Sequence, residues 1–414
     1  MQQSDYLNDD GHEDGNADGH DDARFMSRAL VLARRGLYTT DPNPRVGCVL
    51  VRDGAIVGEG WHERAGQAHA EVNAMRAAGE RAVGATVYVS LEPCRHRGRT
   101  GPCTEALEAA GVHRVVAAMA DPDPRTAGQG LEALRRAGIA VHCGLLEGQA
   151  RDLNPGFVMR HTRGRPYVRI KMAASLDGRT AMADGESKWI TGRLARRDVQ
   201  RLRARSSAIL TGIGTLLADD PSLTVRAAEL GENIAIRQPL RVVVDRRLRT
   251  PVGASLLRQP GATLIVTRSD LSDDDHGNGN VNDTRRALTD AGADILSLTG
   301  SDGSGELAAL MAALAGRGVN EVLVEAGATL GGALLAEELV DEIVLYTAPV
   351  LLGDTARGLF HLPQIRTLAQ GLALDVIDVR AIGSDWRITA LPKKGDENGD
   401  ENEKGDALIF SPKK

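Results

Sequence analysis

Apolar positions first fall into a regular rhythm at Phe25, Ala29, Leu30 and Ala33, one face of a helix that ends at Gly36. Val46–Val51 and Ile56–Gly60 flank Asp53-Gly54, which predicts a hairpin. Helix and strand then alternate. Helices are expected over 70–78, 104–110 and 130–137, and strands over 86–91, 112–119 and 139–142. This alternation predicts an α/β layer. After Gly164-Arg165-Pro166 the rhythm restarts with a strand at 167–173, a helix at 195–204 and a strand at 208–211. Further strands are expected at 241–244, 263–267, 295–298, 322–325 and 342–347, interrupted by an acidic Gly/Asn-rich surface excursion at 269–283. The domain boundary falls near 150–166.

Length and charge sharpen this division. The chain has 414 residues and a formal charge of −6. Eight acidic groups and no Lys or Arg lie in residues 1–22, and the 393–414 tail is also rich in Asp and Glu. Both segments are expected to be disordered, because they offer too little apolar surface to offset chain entropy. Removing them leaves a body of about +3, suited to a small anionic ligand. The expected plan is a tail at 1–22, a first domain at 23–160, a second at 165–392 and a tail at 393–414. With no secretory signal pattern and no apolar run long enough to span a bilayer, a soluble cytoplasmic protein is expected. Three Trp, five Tyr and four Phe, spread along the chain, offer little platform for single-stranded nucleic acid.

The first half carries a metal-ligand pattern. One imidazole, His69, and two thiols, Cys94 and Cys103, suit Zn2+ as a three-ligand set with a fourth position for water. Glu71, two residues from His69, is placed to act as general base and then general acid on that water. This is the logic of zinc nucleobase deaminases. A closed structural site would need a fourth ligand, for which His62, His96 and Cys48 are the available candidates. Cys48 and Cys143 read as buried thiols in strands. Eight residues separate Cys94 from Cys103, where general deaminases have two, which argues against a generic cytidine or transfer-RNA deaminase.

The motifs Pro42-Asn43-Pro44-Arg45-Val46-Gly47, His69-Ala70-Glu71-Val72 and Glu92-Pro93-Cys94 through Gly98-Arg99-Thr100 to Pro102-Cys103 lie in the first half. Ala174-Ser175-Leu176-Asp177-Gly178, Trp189-Ile190-Thr191, Leu217-Ala218-Asp219-Asp220-Pro221 and Val324-Glu325-Ala326-Gly327 lie in the second. Together, over roughly residues 24–390, they resemble the bifunctional riboflavin-biosynthesis deaminase/reductase family. Gly101 stands where that pattern has a proline. The resemblance implies a cytidine-deaminase-like three-layer α/β domain followed by a dihydrofolate-reductase-like domain. The first would deaminate a phosphorylated diaminopyrimidine, and the second would reduce its ribosyl group with NADPH. It further implies that Ala173, Trp189, Thr215 and Asp219 contact NADPH, and that Ser187, Arg203, Leu223, Arg226 and Glu325 hold the substrate. A homo-oligomer is also implied.

No G-x-G-x-x-G follows the first strand of the second half, which argues against a conventional dinucleotide fold. Read from the residues alone, Gly327-Ala328-Thr329-Leu330-Gly331-Gly332-Ala333 is either a phosphate loop at a helix start or a plain Gly-rich helix entry. The resemblance favours the NADPH pyrophosphate cradle. Arg203 and Arg226 can each fork onto a phosphate. On periodicity alone Arg203 reads as a solvated helix position, and Trp189 is equally compatible with a core place. Lys171 and Asp219 are candidates for assisting proton transfer in the reductase. Asn43 and Glu92 are candidates for holding the pyrimidine in the deaminase. Two competing readings are a deaminase of free nucleosides or nucleic acid, and a non-catalytic zinc-stabilised scaffold.

Overall fold

The computed structural model describes residues 15–95, 101–231, 236–276, 280–299 and 305–393. The expectations for His96, for Gly98-Arg99-Thr100 and for the outermost tail residues lie outside these.

The first half is a five-stranded sheet of order β2-β1-β3-β4-β5, formed by β1 (Gly47–Arg52), β2 (Ala55–Trp61), β3 (Thr86–Val89), β4 (Arg114–Ala117) and β5 (Ala140–Cys143). The β1–β2 hairpin turns at Asp53-Gly54, both at positive φ, and β3, β4 and β5 run parallel. Along β1, Cys48 and Leu50 enter one core with α2 (Ala70–Ala78), α3 (Cys103–Ala109) and α4 (Gln129–Arg136). Val49 and Val51 enter a second core with α1 (Gly15–Ala33), α5 (Glu147–Leu153) and α6 (Pro155–Arg163). Both faces are covered, so the strands read as continuous apolar runs. The result is a three-layer domain.

Helix α1 starts ten residues before the expected Phe25, which corrects the expectation of disorder for residues 15–22. The Asp22 carboxylate accepts from both Arg114 guanidinium nitrogens and from the Tyr88 hydroxyl, tying the acidic segment to the sheet. Helices α5 and α6 occupy the stretch expected to be a domain boundary.

The second half is a nine-stranded sheet of order β11-β10-β9-β8-β12-β6-β13-β16-β15. Its strands are β6 (Tyr167–Ser175), β8 (Ala208–Gly212), β9 (Leu240–Val244), β10 (Thr263–Arg268), β11 (Ala293–Leu298), β12 (Glu321–Val324), β13 (Glu342–Ala348), β15 (Leu374–Ile382) and β16 (Asp385–Pro392). A small ribbon joins β7 (Arg179–Ala181) to β14 (Arg357–Gly358). The strands from β11 to β13 are parallel, and β16 and β15 complete the sheet antiparallel. Helices α7 (Arg193–Arg205), α8 (Ile213–Asp219) and α10 (Val281–Asp290, after the short α9, Asp273–His276) cover one face. Helices α11 (Glu306–Gly316) and α12 (Ala328–Ala336) cover the other. The excursion expected at 269–283 thus contributes α9 and the start of α10.

Where the halves meet, Glu321 accepts Arg45 of the first half at 2.7 Å, and Arg169 and Arg205 of the second, each at 3.1 Å. Arg169 also reaches Glu342 at 2.7 Å. Burial works against the Glu321 charge, but Arg205, Arg45 and Arg169 outweigh it and hold the carboxyl far below its ordinary value. Removing one partner from such a cluster leaves uncompensated buried charge. Glu321→Gln is therefore expected to lower stability at pH 7 by about 3–5 kcal/mol in a denaturant melt. The Glu321 contribution is present above the unfolded-state value near 4.5 and is lost as pH falls below it. The variant should accordingly show a flatter loss of stability than the parent as pH falls below that value.

Candidate functional site

The metal group is assembled by helix ends. His69 is the residue before α2 and Cys103 opens α3, while Cys94 lies on the loop after β3. Helix α2 lies close on β2 because Gly60 has no side chain; a Cβ there would sit 2.4 Å from Ala74 N and 2.5 Å from Ala70 O. His69 Nδ1 lies 3.5 Å from Cys94 Sγ and 3.3 Å from Cys103 Sγ, and the three donor atoms are all within 4.8 Å of one another. Tetrahedral zinc with Zn–N of about 2.0 Å and Zn–S of about 2.3 Å places nitrogen and sulfur roughly 3.5 Å apart. The residues therefore fit the ion. Hydrogen bonds from Cys103 and then His69 pull the Cys94 thiol down to about 4, while the same sharing and burial push Cys103 up. A bound divalent cation deprotonates both.

The alternatives for a fourth ligand have other work. His62 Nδ1 donates to Ala68 O at 3.0 Å, so its Nε2 accepts from Asn43 Nδ2 at 3.1 Å. Both ring nitrogens are taken, and burial keeps the ring neutral. Cys48 is buried in the core of β1. Among the described residues the donor set is three, the number of a zinc site that keeps a position for water.

His69 and Cys94 line a pocket of 460 Å³, with Cys103 buried behind them. Glu71 lines it, is only 3% exposed, and has its carboxyl pushed up by burial, as an acid–base group requires. Asn43 also lines it, and the bond to His62 leaves the amide oxygen able to accept from a ligand. Glu92 is a correction. Its two oxygens accept the backbone N–H groups of Asp121, Gly128, Gly130 and Leu131, so the carboxylate braces a pocket wall instead of presenting free lone pairs to a pyrimidine. Arg125, Arg160 and His161 also line the pocket and did not emerge from the sequence reading. Arg160 and His161 come from α6, whose approach to the zinc loop has no signal in local pattern.

In the second half, the expected residues gather at the carboxyl ends of the parallel strands, where open α/β sheets bind ligands. Arg203 is a second correction. Its side chain is only 13% exposed, and it forks onto Glu325 with Nε–Oε1 at 2.6 Å and Nη2–Oε2 at 2.9 Å, while Nη1 donates to Thr224 O. It is neither solvated nor a free phosphate fork. Lys171 on β6 has its amine pulled down by burial, with Glu325 opposing and Arg203 adding to the shift. Arg226 is exposed and paired with Glu229. Leu223 is buried at φ 46°, a strained place for leucine. Ser187 lies partly exposed on the loop that carries Trp189. Trp189 is 70% exposed, not core, with the Arg196 guanidinium 4.5 Å from its ring centre. Lys188 beside it pairs with Asp219 at 3.2 Å. Ala173 lies on β6 opposite Tyr346.

The Gly327–Ala333 stretch divides in two. Gly327 precedes α12 with no side-chain cap, which leaves the N–H groups of the first turn free of intrahelical partners. A Cβ on Gly327 would find only Thr215 Oγ1, at 4.0 Å, so the first turns of α8 and α12 face each other across open space. That cradle fits a phosphate. Gly331 and Gly332 serve packing instead: a Cβ on Gly332 would lie 2.0 Å from His361 O, and one on Gly331 would lie 3.2 Å from the Phe360 ring.

Comparison with known proteins matches both halves of the chain. "Cytidine and deoxycytidylate deaminase zinc-binding region" matches residues 20–119, and "RibD C-terminal domain" matches residues 166–388. The Riboflavin biosynthesis protein RibD of Escherichia coli is 50% identical over 371 residues, covering 88% of this chain and 97% of that one. The Haemophilus influenzae protein of the same name is 48% identical and covers 90% and 98%. Among solved structures, Acinetobacter baumannii RibD superposes with a TM-score of 0.83 at 46% identity, covering 91% of this chain and 100% of that one. The Thermotoga maritima diaminohydroxyphosphoribosylaminopyrimidine deaminase/5-amino-6-(5-phosphoribosylamino)uracil reductase gives 0.77 at 31%, with the same coverage. A zinc-type deaminase domain and a reductase domain thus follow one another along the whole matched length, and the chain belongs to the RibD family of bifunctional riboflavin-biosynthesis deaminase/reductases.

Proposed function

We propose that the first domain deaminates 2,5-diamino-6-ribosylamino-4(3H)-pyrimidinone 5′-phosphate, and that the second uses NADPH to yield 5-amino-6-(5-phosphoribitylamino)uracil. The observation that carries this reading is the gathering of three metal donors within 4.8 Å of one another, two of them lining one pocket with Glu71, and a separate uncrowded glycine-led helix entry in the second domain. His69, Cys94 and Cys103 would hold one zinc ion per chain, which would supply Lewis-acid activation of water. Glu71 takes one proton from the attacking water to the ring nitrogen, then carries the proton of the newly added hydroxyl to the amine, so ammonia leaves as the carbonyl forms. Asn43 accepts from a ring donor. Arg160 supplies positive charge for the phosphate, with the His161 ring beside it.

In the second domain the first turns of α8 and α12, with Thr215, Trp189 and Asp219, would hold NADPH, which would supply the hydride for reduction at C1′. That carbon is electrophilic as the ring-opened imine of the ribosylamine. Arg226 holds the phosphate, Glu325 accepts from ribose or ring donors and is fixed by Arg203, and Lys171 gives the imine nitrogen its proton. Among the described residues no helix is long and apolar enough to cross a membrane. A cytoplasmic homo-oligomer completes the reading. The exposed Val376, Ile377 and Val379 on edge strand β15 support self-association.

Glu71→Gln is expected to retain zinc but lose about 10²–10⁴-fold in ammonia release. Its NADPH oxidation on the deaminated substrate should match the parent; undiminished deamination would refute the assignment. Arg160→Ala should raise KM for deamination by roughly ten-fold with little change in kcat, the pattern of lost ground-state binding. Glu325→Gln should lower kcat/KM for NADPH oxidation by at least about ten-fold and leave ammonia release unaffected.

A further inference from the structure

The loop that carries Asn43 is held from outside its own domain. At one end, Asp41 Oδ1 accepts from Ser207 Oγ at 2.6 Å and from Asn320 Nδ2 at 3.2 Å, and Asp41 Oδ2 pairs with Arg237 at 3.1 Å. Asn320 Nδ2 also donates to Pro42 O at 2.8 Å. The Ser207 hydroxyl is fully used, because it accepts from Asn320 N at 2.9 Å and Glu321 N at 3.1 Å while donating to Asp41. At the other end, the Arg45 guanidinium reaches Glu321 at 2.7 Å and Arg205 O at 3.3 Å. Between these anchors Pro42, Asn43 and Pro44 line the deaminase pocket.

The opposite pocket wall rests on the same spot. A Cβ on Gly156 of α6 would lie 2.4 Å from Asn320 O, so α6 is seated directly on the start of β12. Phe157, Arg160 and His161 of that helix line the pocket. Asn320 and Ser207 lie at the amino-terminal edge of the second sheet, away from Glu325 at the carboxyl end of β12. Among the described residues, their side chains hydrogen-bond to none of the reductase residues named above.

We infer that Ser207 and Asn320, in the reductase domain, are positioning residues for deamination: they clamp the 41–45 loop and seat α6, and so set Asn43 against the substrate. This rests on the deaminase reading of the pocket. The two domains are therefore not two independent enzymes on one chain. The second supplies the frame for the substrate wall of the first, while the described metal donors and Glu71 all belong to the first domain.

The test uses the full chain with Ser207→Ala, Asn320→Ala and the conservative Ser207→Thr. Ammonia release is measured against concentration of the pyrimidine phosphate, NADPH oxidation on the deaminated substrate, zinc per chain by metal analysis, and Tm. Ser207→Ala and Asn320→Ala should raise KM for deamination roughly ten-fold or more, as expected for a displaced binding group. Zinc content and NADPH oxidation should stay at the parent values, and Ser207→Thr, which keeps the hydroxyl, should restore KM. Unchanged deamination kinetics in both alanine variants would overturn the inference. So would a parallel loss of both activities with a lowered Tm, which marks a merely structural seam. Failure of the deaminase reading itself would show separately, as full deamination by Glu71→Gln.

Discussion

Glu321 stands at the seam of the molecule with three guanidiniums around it, one from the first domain and two from the second. A buried carboxylate in that position is tolerable only while all of its partners are present, and each partner needs it in turn. The pair across the seam has an ideal chance to specify one mutual placement of the domains, because any slip would strand charge away from water. Apolar contact alone is non-directional and would tolerate several placements.

The same economy of means recurs at both sites. His69 and Cys103 meet where α2 and α3 begin, and the phosphate cradle we propose lies where α8 and α12 begin. Helix starts carry unpaired N–H groups and the positive end of the dipole, which favour thiolates in one case and phosphate in the other. Glycine permits these approaches. Gly60 brings α2 onto β2, and Gly332 lets α12 rest against His361. A methyl group at either place would push a site-bearing helix off its sheet.

Several features were legible because they depend on neighbours in sequence. The β1–β2 turn at Asp53-Gly54 follows from backbone chemistry at two residues. The two-sided apolar runs of β1 and β12 announce strands buried on both faces. Other features were not legible because their partners are remote. Glu92 belongs to a loop some thirty residues on, where four backbone N–H groups occupy it. Arg203 sits among other arginines on α7 and reads as solvated, yet Glu325 takes it inward. Asp22 lies in an acidic stretch that would stay unfolded alone, and Arg114 with Tyr88 makes it the flank of a helix.

The amino-acid sequence by itself determined the chemistry: one imidazole, two thiols and a nearby carboxyl for zinc-assisted deamination, then a glycine-led helix entry suited to a phosphate. Residue type and short spacing are enough for that, since they specify which atoms are available. Tertiary structure decided which of those atoms stay free. It bound Glu92 and Arg203 to internal partners, left Trp189 exposed, and brought Arg160 from the linker helix to the zinc pocket. Those outcomes turn on the desolvation of charges by segments far apart in the chain, a quantity that no local pattern encodes.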